Sequence, residues 1–111
     1  MSEKELIERT YQAIESAKAS GKIRKGINEV TKIVEKGDAK LVAYASDISP
    51  PEIVMHLPLL CKEKGIPCVK VGSKEELGAS AGLTVPTSAV AVLNEGDAKA
   101  IIKEIAGQMG Q

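Results

Sequence analysis

The run Lys40-Leu41-Val42-Ala43-Tyr44-Ala45-Ser46 is short, apolar and flanked by turn formers, with Gly37-Asp38 before it and Asp47 after it. Such a run reads as a buried strand, and the segments on either side must supply the layers that bury it. Upstream, Ser2 and Glu5 have the spacing of a capping box, and Leu6, Ile7, Tyr11, Ile14 and Ala17 follow at helical intervals. Gly21 is expected to end that helix as a left-handed cap. The Ile23–Lys25 link is a candidate fourth strand at a sheet edge. A second helix is expected to open near Gly26–Asn28, turn Val30, Ile33 and Val34 inward and stop at Gly37.

Downstream, Pro50-Pro51-Glu52 suits a first helical turn. Pro58 is expected to bend or restart that segment, because proline lacks the backbone donor, and Gly65 closes it. Cys68–Val71 reads as a strand, and Ser73 with Glu76 as another capping box opening a short helix that stops at Gly82. Thr87–Leu93 reads as a further strand, and Gly96-Asp97 as the entry to a last helix with Ala98, Ile101, Ile102 and Ile105 on its inner face. Strands alternating with helices of this length predict an α/β chain: a three-layer α/β/α sandwich around a small mixed four-stranded sheet, in one domain over residues 1–111.

Composition narrows the function. The chain has 111 residues, 43% of them hydrophobic, with two Tyr and no Phe or Trp, so the core is built from Ile, Val, Leu and Ala. Formal net charge is zero, but it is unevenly spread. From Lys18 to Lys40 there are seven Lys or Arg against three acids, a net of +4; from Glu75 onward five acids face two lysines, a net of −3. A neutral chain with one basic end can attract a polyanion, because the local field governs encounter. A solvated helix surface accounts for the same charges. Cys61 and Cys68 with a lone His56 make neither a disulfide framework nor a zinc pattern. No apolar run approaches a membrane span and no signal peptide is apparent, so a reducing cytoplasmic location is expected.

No catalytic constellation emerges. His56 and Cys61 are five apart with Pro58 between them, so they do not share a helix face. His56, beside Leu57 and Leu60, reads as a core or half-buried residue. Gly78–Gly82 has too little glycine for a phosphate cradle, Glu75-Glu76 reads as an ordinary acidic first turn, and Cys61 has no activating partner in the sequence. The expectation is a protein that is not an enzyme and carries neither cofactor nor metal.

Lys22-Ile23-Arg24-Lys25-Gly26-Ile27-Asn28-Glu29-Val30-Thr31-Lys32 stands apart. It sets three basic residues ahead of a helix start, where unpaired backbone N–H groups favour phosphate oxygens. Asn28 and Lys32 are four apart, hence neighbours on one helix face, with Glu29 adjoining. Lys32 donates, Glu29 accepts and Asn28 does both, a combination able to read a base edge. The alternative makes Asn28 an N-cap and leaves Glu29 and Lys32 as solvated surface; on physics alone it explains the residues at least as well.

The stretch Gly26-Ile27-Asn28-Glu29-Val30-Thr31-Lys32 resembles the Gly-x-Asn-Glu-x-Thr-Lys signature of the kink-turn RNA-binding family. The likeness continues through Asp47 and Pro50, His56–Cys61, Lys64-Gly65-Ile66-Pro67, Ser73-Lys74, Leu77-Gly78, Ala81–Pro86 and Asn94-Glu95-Gly96. The resemblance implies an α/β/α sandwich that binds RNA stems in which a short bulge precedes tandem sheared G·A pairs. It places Asn28 and Lys32 on guanine O6 and Glu29 on guanine N–H groups. Gly26 opens that helix, Leu83, Thr84 and Val85 lie against flipped-out bulge nucleotides, and Arg24, Lys25 and Lys74 lie against phosphates. Val85 stands where eukaryotic members typically have arginine, which resembles the archaeal ribosomal form. Ser49 stands where members often carry an acid, so a contact of that kind with the bulged base is not expected. The strand that archaeal members carry before the first helix has no counterpart here.

The same resemblance implies partners: ribosomal RNA, box C/D and H/ACA guide RNAs and ribonuclease P RNA, with a Nop-family scaffold protein and fibrillarin in the particle. The helix opening at Pro51 is the expected protein-docking face. A protein-interaction module without an RNA role is the competing reading, and it would lack the Asn28, Glu29 and Lys32 trio. A monomer is expected, on the reasoning that one core absorbs the apolar residues and no apolar stripe is left over.

Overall fold

The computed structural model describes residues 2–108. Helix α1 spans Glu3–Ser20, strand β1 Lys22–Lys25, α2 Ile27–Lys36, β2 Leu41–Ala45, α3 Glu52–Lys64, β3 Cys68–Val71, α4 Lys74–Ser80 and β4 Ala89–Asn94. A 3₁₀ turn over Gly96–Ala98 then leads into α5, Lys99–Gln108. The sheet order is β1-β4-β2-β3; β2 and β3 are parallel and the other pairs antiparallel. The sheet is therefore mixed and four-stranded, with the Lys22–Lys25 segment at one edge, as the sequence implies.

Alternation along the strands sorts side chains to two faces. Leu41, Ala43, Ala45, Val69, Val71, Val90 and Val92 pack with Ala13, Ile14 and Ala17 of α1, Leu77 of α4, and Ile102 and Ile105 of α5. Val42, Ala89 and Ala91 point the other way, onto Val30, Ile33 and Val34 of α2 and Val54, Leu57 and Cys61 of α3. The three-layer sandwich is thus present, with its core in two halves separated by the sheet.

Four expectations change. Gly21 does end α1, but with φ −135° rather than in a left-handed turn; glycine is needed because a Cβ there would run into the Asn94 carbonyl. Pro58 does not restart α3, which runs unbroken through it. An interior proline costs a helix about 3 kcal/mol. Burying Val54 and Leu57, both nearly or fully enclosed, contributes about 1.5–3 kcal/mol each, enough to hold the helix in register. The last strand begins at Ala89, two residues late, because Thr87 and Ser88 are spent on contacts described below. Finally, α3 leaves Ile53, Met55 and Leu59 exposed, at 39%, 60% and 69%, Ile53 toward the α2 groove and Met55 with Leu59 on another face. Apolar side chains are thus left over after all, and the reasoning toward a monomer loses that support.

Candidate nucleic-acid interface

Three consecutive residues at the start of β4 gather the pieces of the site. The Thr87 N–H donates to the Lys74 carbonyl (3.1 Å), the Ser88 carbonyl accepts from Ala45 N–H (3.0 Å), and the Ala89 carbonyl accepts from Gly26 N–H (2.9 Å). The start of α4, the end of β2 and the start of α2 are thereby fixed at one end of the sheet. β1 reaches the same end, since Lys25 pairs with Val90 and Arg24 with Ala91. All ten residues singled out from sequence (Arg24, Lys25, Gly26, Asn28, Glu29, Lys32, Lys74, Leu83, Thr84 and Val85) lie on these segments or on the loop leading into β4.

Helix α2 begins without a side-chain cap. Its N-cap is Gly26, at φ 93°, and its first backbone bond is Val30 N–H to the Gly26 carbonyl at 3.0 Å. Nothing lies within 4 Å of where a Cβ would sit, so glycine is required here by conformation rather than by space. Asn28 is therefore not the cap; it sits inside the first turn. Asn28, Glu29 and Lys32 are exposed. None of the three side chains has a hydrogen-bond or ion-pair partner among the described residues, where Arg9–Glu104 is the ion pair found. Asn28 and Lys32 share the wall of a groove of about 800 Å³ between α2 and α3, whereas Glu29 is turned about 100° round the helix.

The other members are held differently. Arg24 is half-buried and its guanidinium folds back to donate to the Ile23 carbonyl at 3.1 Å, while Lys25 projects freely. Lys74 is pinned through its backbone: its N–H donates to Asp47 Oδ1 at 2.9 Å and its carbonyl takes Thr87. The Leu83–Pro86 loop crosses close over α4, because a Cβ on Gly78 would strike the Val85 carbonyl, and Leu83 N–H returns to the Gly78 carbonyl at 2.9 Å. Loop and helix enclose a groove of about 370 Å³ lined by Glu75, Ala79, Leu83, Thr84, Val85 and Pro86, with Val85 59% exposed at its lip.

Two features of this end were not legible from sequence. His56 is exposed rather than buried, and its Nε2 lies 2.8 Å from Thr31 Oγ1, tying α3 to α2 beside Lys32. The continuous helix through Pro58 turns Leu57 inward and so turns His56 out. Lys18 of α1 lies across Gly82, where any Cβ would displace it, and so adds a cation next to the loop. Only the basic run beginning at Lys18 hinted at that.

Residues 8–102 match the ribosomal protein L7Ae/L30e/S12e/Gadd45 family. Among solved structures, the chain is similar to a 15.5kD RNA binding protein of Giardia lamblia, with a TM-score of 0.87 and 36% sequence identity over 94% of this chain and 87% of that one.

Proposed function

The chain belongs to the ribosomal protein L7Ae/L30e/S12e/Gadd45 family, and from that membership we propose that it binds RNA and stabilises the kink-turn. The observation that carries the reading is the start of α2, uncapped, preceded by a basic strand, and presenting Asn28, Glu29 and Lys32 without protein partners. In a sheared G·A pair guanine spends its sugar edge on the adenine and keeps its Watson–Crick edge free. Asn28 and Lys32 donate to O6; Glu29 accepts from N–H. Glutamate repels phosphate and penalises a base that has no donor, so it contributes selectivity more than affinity. Irregular sites of this kind suit side-chain reading because the ordinary A-form major groove is too narrow.

The Leu83–Val85 loop takes the flipped-out bulge nucleotides in the groove it forms with α4. Lys25, Arg24 and Lys74 hold phosphates, with Arg24 first releasing the Ile23 carbonyl. The protein acts by population shift: it binds only the bent RNA, so binding draws a flexible stem toward the kink.

Within this reading the chain is a non-enzymatic, cytoplasmic, archaeal-type member, a large-subunit ribosomal protein that also serves as RNA-binding core of box C/D and H/ACA guide particles and in ribonuclease P. Val85 in the loop supports the archaeal type. The exposed Ile53, Met55 and Leu59 on α3 support docking of a Nop-family scaffold protein, with fibrillarin joining through it. The free protein is expected to be a single-domain monomer.

The test is fluorescence anisotropy with a short kink-turn RNA and with the same stem carrying Watson–Crick pairs in place of the tandem G·A pairs. Tight binding confined to the first RNA supports the reading. Equal binding to both would reduce it to a basic surface, and binding to neither would leave a protein-interaction module.

A further inference from the structure

Two thiols and a phenol meet on the face of the sheet that carries α2 and α3. Cys61, near the end of α3, is fully buried; Cys68, at the start of β3, is half-buried, and both are free thiols. The chain between them is tightly fixed. Helix α3 stops with Gly65 left-handed at φ 69°, Gly65 N–H bonding the Lys62 carbonyl (3.2 Å) and Ile66 N–H the Cys61 carbonyl (2.9 Å). The Pro67 carbonyl then accepts from Val42 N–H at 2.9 Å, which sets Cys68 opposite Val42. Both cysteine side chains belong to the apolar cluster that includes Val42, Leu57 and Tyr44.

We propose that Cys61 and Cys68 are a site of oxidative modification, closing to an intramolecular disulfide under peroxide and reopening under a thiol reductant. Each thiol is the chief influence on the other: their interaction draws Cys61 below the usual thiol range and holds Cys68 far above it, burial adding to the latter. The Tyr44 phenol is raised mainly by burial and then by both sulfurs, which places all three groups in one neighbourhood.

Access decides which thiol meets peroxide first. Hydrogen peroxide is small enough to reach the half-buried Cys68. There its O–O bond breaks and an S–O bond forms, giving Cys68 sulfenic acid and one water. The Cys61 sulfur then attacks the Cys68 sulfur. The S–S bond forms as the S–O bond breaks, and the departing hydroxide takes the proton that Cys61 gives up, as a second water. One peroxide is thus reduced to two waters while two thiols are oxidised to one disulfide. The first step waits on peroxide reaching a half-buried thiol, and the second joins two side chains already packed in one cluster. The link joins the end of α3 to the start of β3, toward the end of the sheet away from Gly26, so it leaves the proposed RNA site in place.

The reduced full-length chain is exposed to hydrogen peroxide, alkylated, weighed intact and peptide-mapped. The expected result is loss of both thiols together, a mass lower by two hydrogens, one peptide joining 61 to 68, and full reversal by reductant. Sulfinate at Cys68 with Cys61 still alkylatable, or a disulfide between two chains, overturns the proposal. The Cys61→Ala variant should accumulate Cys68 sulfenic acid trappable by dimedone, and its absence in folded protein counts against the scheme. Because Cys61→Ala also opens a buried cavity, Cys68→Ala is the companion. There Cys61 should resist peroxide, and oxidation at the unsubstituted rate contradicts Cys68 as the entry point.

Discussion

Helices α2 and α4 start at the same end of the sheet, yet the chain treats the two starts in opposite ways. At α4 the Ser73 hydroxyl accepts from both Glu75 N–H and Glu76 N–H, each at 3.1 Å, and Asp47 takes the Lys74 N–H at 2.9 Å. Its first-turn donors are consumed by the protein. At α2 a glycine opens the helix, no side chain caps it, and the first-turn residues Asn28 and Glu29 face water. A capped start is finished; an uncapped one, placed after a basic strand, still has donors to offer. On the proposed function, the difference separates a helix that positions a loop from a helix that meets RNA.

Changes at α2 should therefore fall on RNA affinity, and changes at α4 on stability. The largest effect is expected from Lys32→Ala, which removes a charged donor from the reading face. It should weaken kink-turn binding by about 1–3 kcal/mol, with the urea midpoint unchanged because the side chain has no protein partner. Gly26→Ala comes next. Forcing a Cβ into φ 93°, ψ 145° should cost about 1–3 kcal/mol of stability, read as a lower urea midpoint, and it should shift the α2 start enough to weaken RNA as well. Ser73→Ala removes the cap at α4 and should cost about 1 kcal/mol of stability while RNA affinity moves by less than about 0.5 kcal/mol. Lys25→Ala should leave the urea midpoint alone and lower the salt slope of binding by about one, whereas Lys99→Ala, at the other end of the sheet, should leave the slope alone. If Ser73→Ala weakened RNA as much as Lys32→Ala, the contrast between the two helix starts would collapse.

The elements were legible where the signal is local. Ser73 and Ser2 are caps, Gly37 and Gly65 are left-handed stops, and the strand pattern gives the layers; each depends on neighbours a few residues away. The stretch Gly26–Lys32 stood out because a basic run precedes a helix start and because it resembles the kink-turn signature; spacing alone was explained as well by an Asn28 cap on a solvated helix. What stayed hidden depends on distant contacts. Gly21 is small because of Asn94, and Gly78 because of Val85. His56 was misjudged because its exposure follows from the rotation of a helix that continues through Pro58, and that outcome is settled by burial of Val54 and Leu57 against a sheet formed elsewhere. The same rotation leaves Met55 and Leu59 outside, where composition alone assigned every apolar residue to the core.

The central claim is that the open start of α2 reads a guanine, and a double-mutant cycle across the interface tests it most directly. One change is Glu29→Ala. The other replaces the guanine of a sheared pair by 2-aminopurine, which keeps the sugar edge but lacks both the N1–H offered to the carboxylate and the O6 assigned to Asn28 and Lys32, so the coupling to Glu29, not the loss itself, is read. Each alone should weaken binding, and once the base is changed Glu29→Ala should cost almost nothing further, a coupling of at least about 1 kcal/mol. Two losses that simply add would mean that Glu29 does not touch that edge, and would contradict the account.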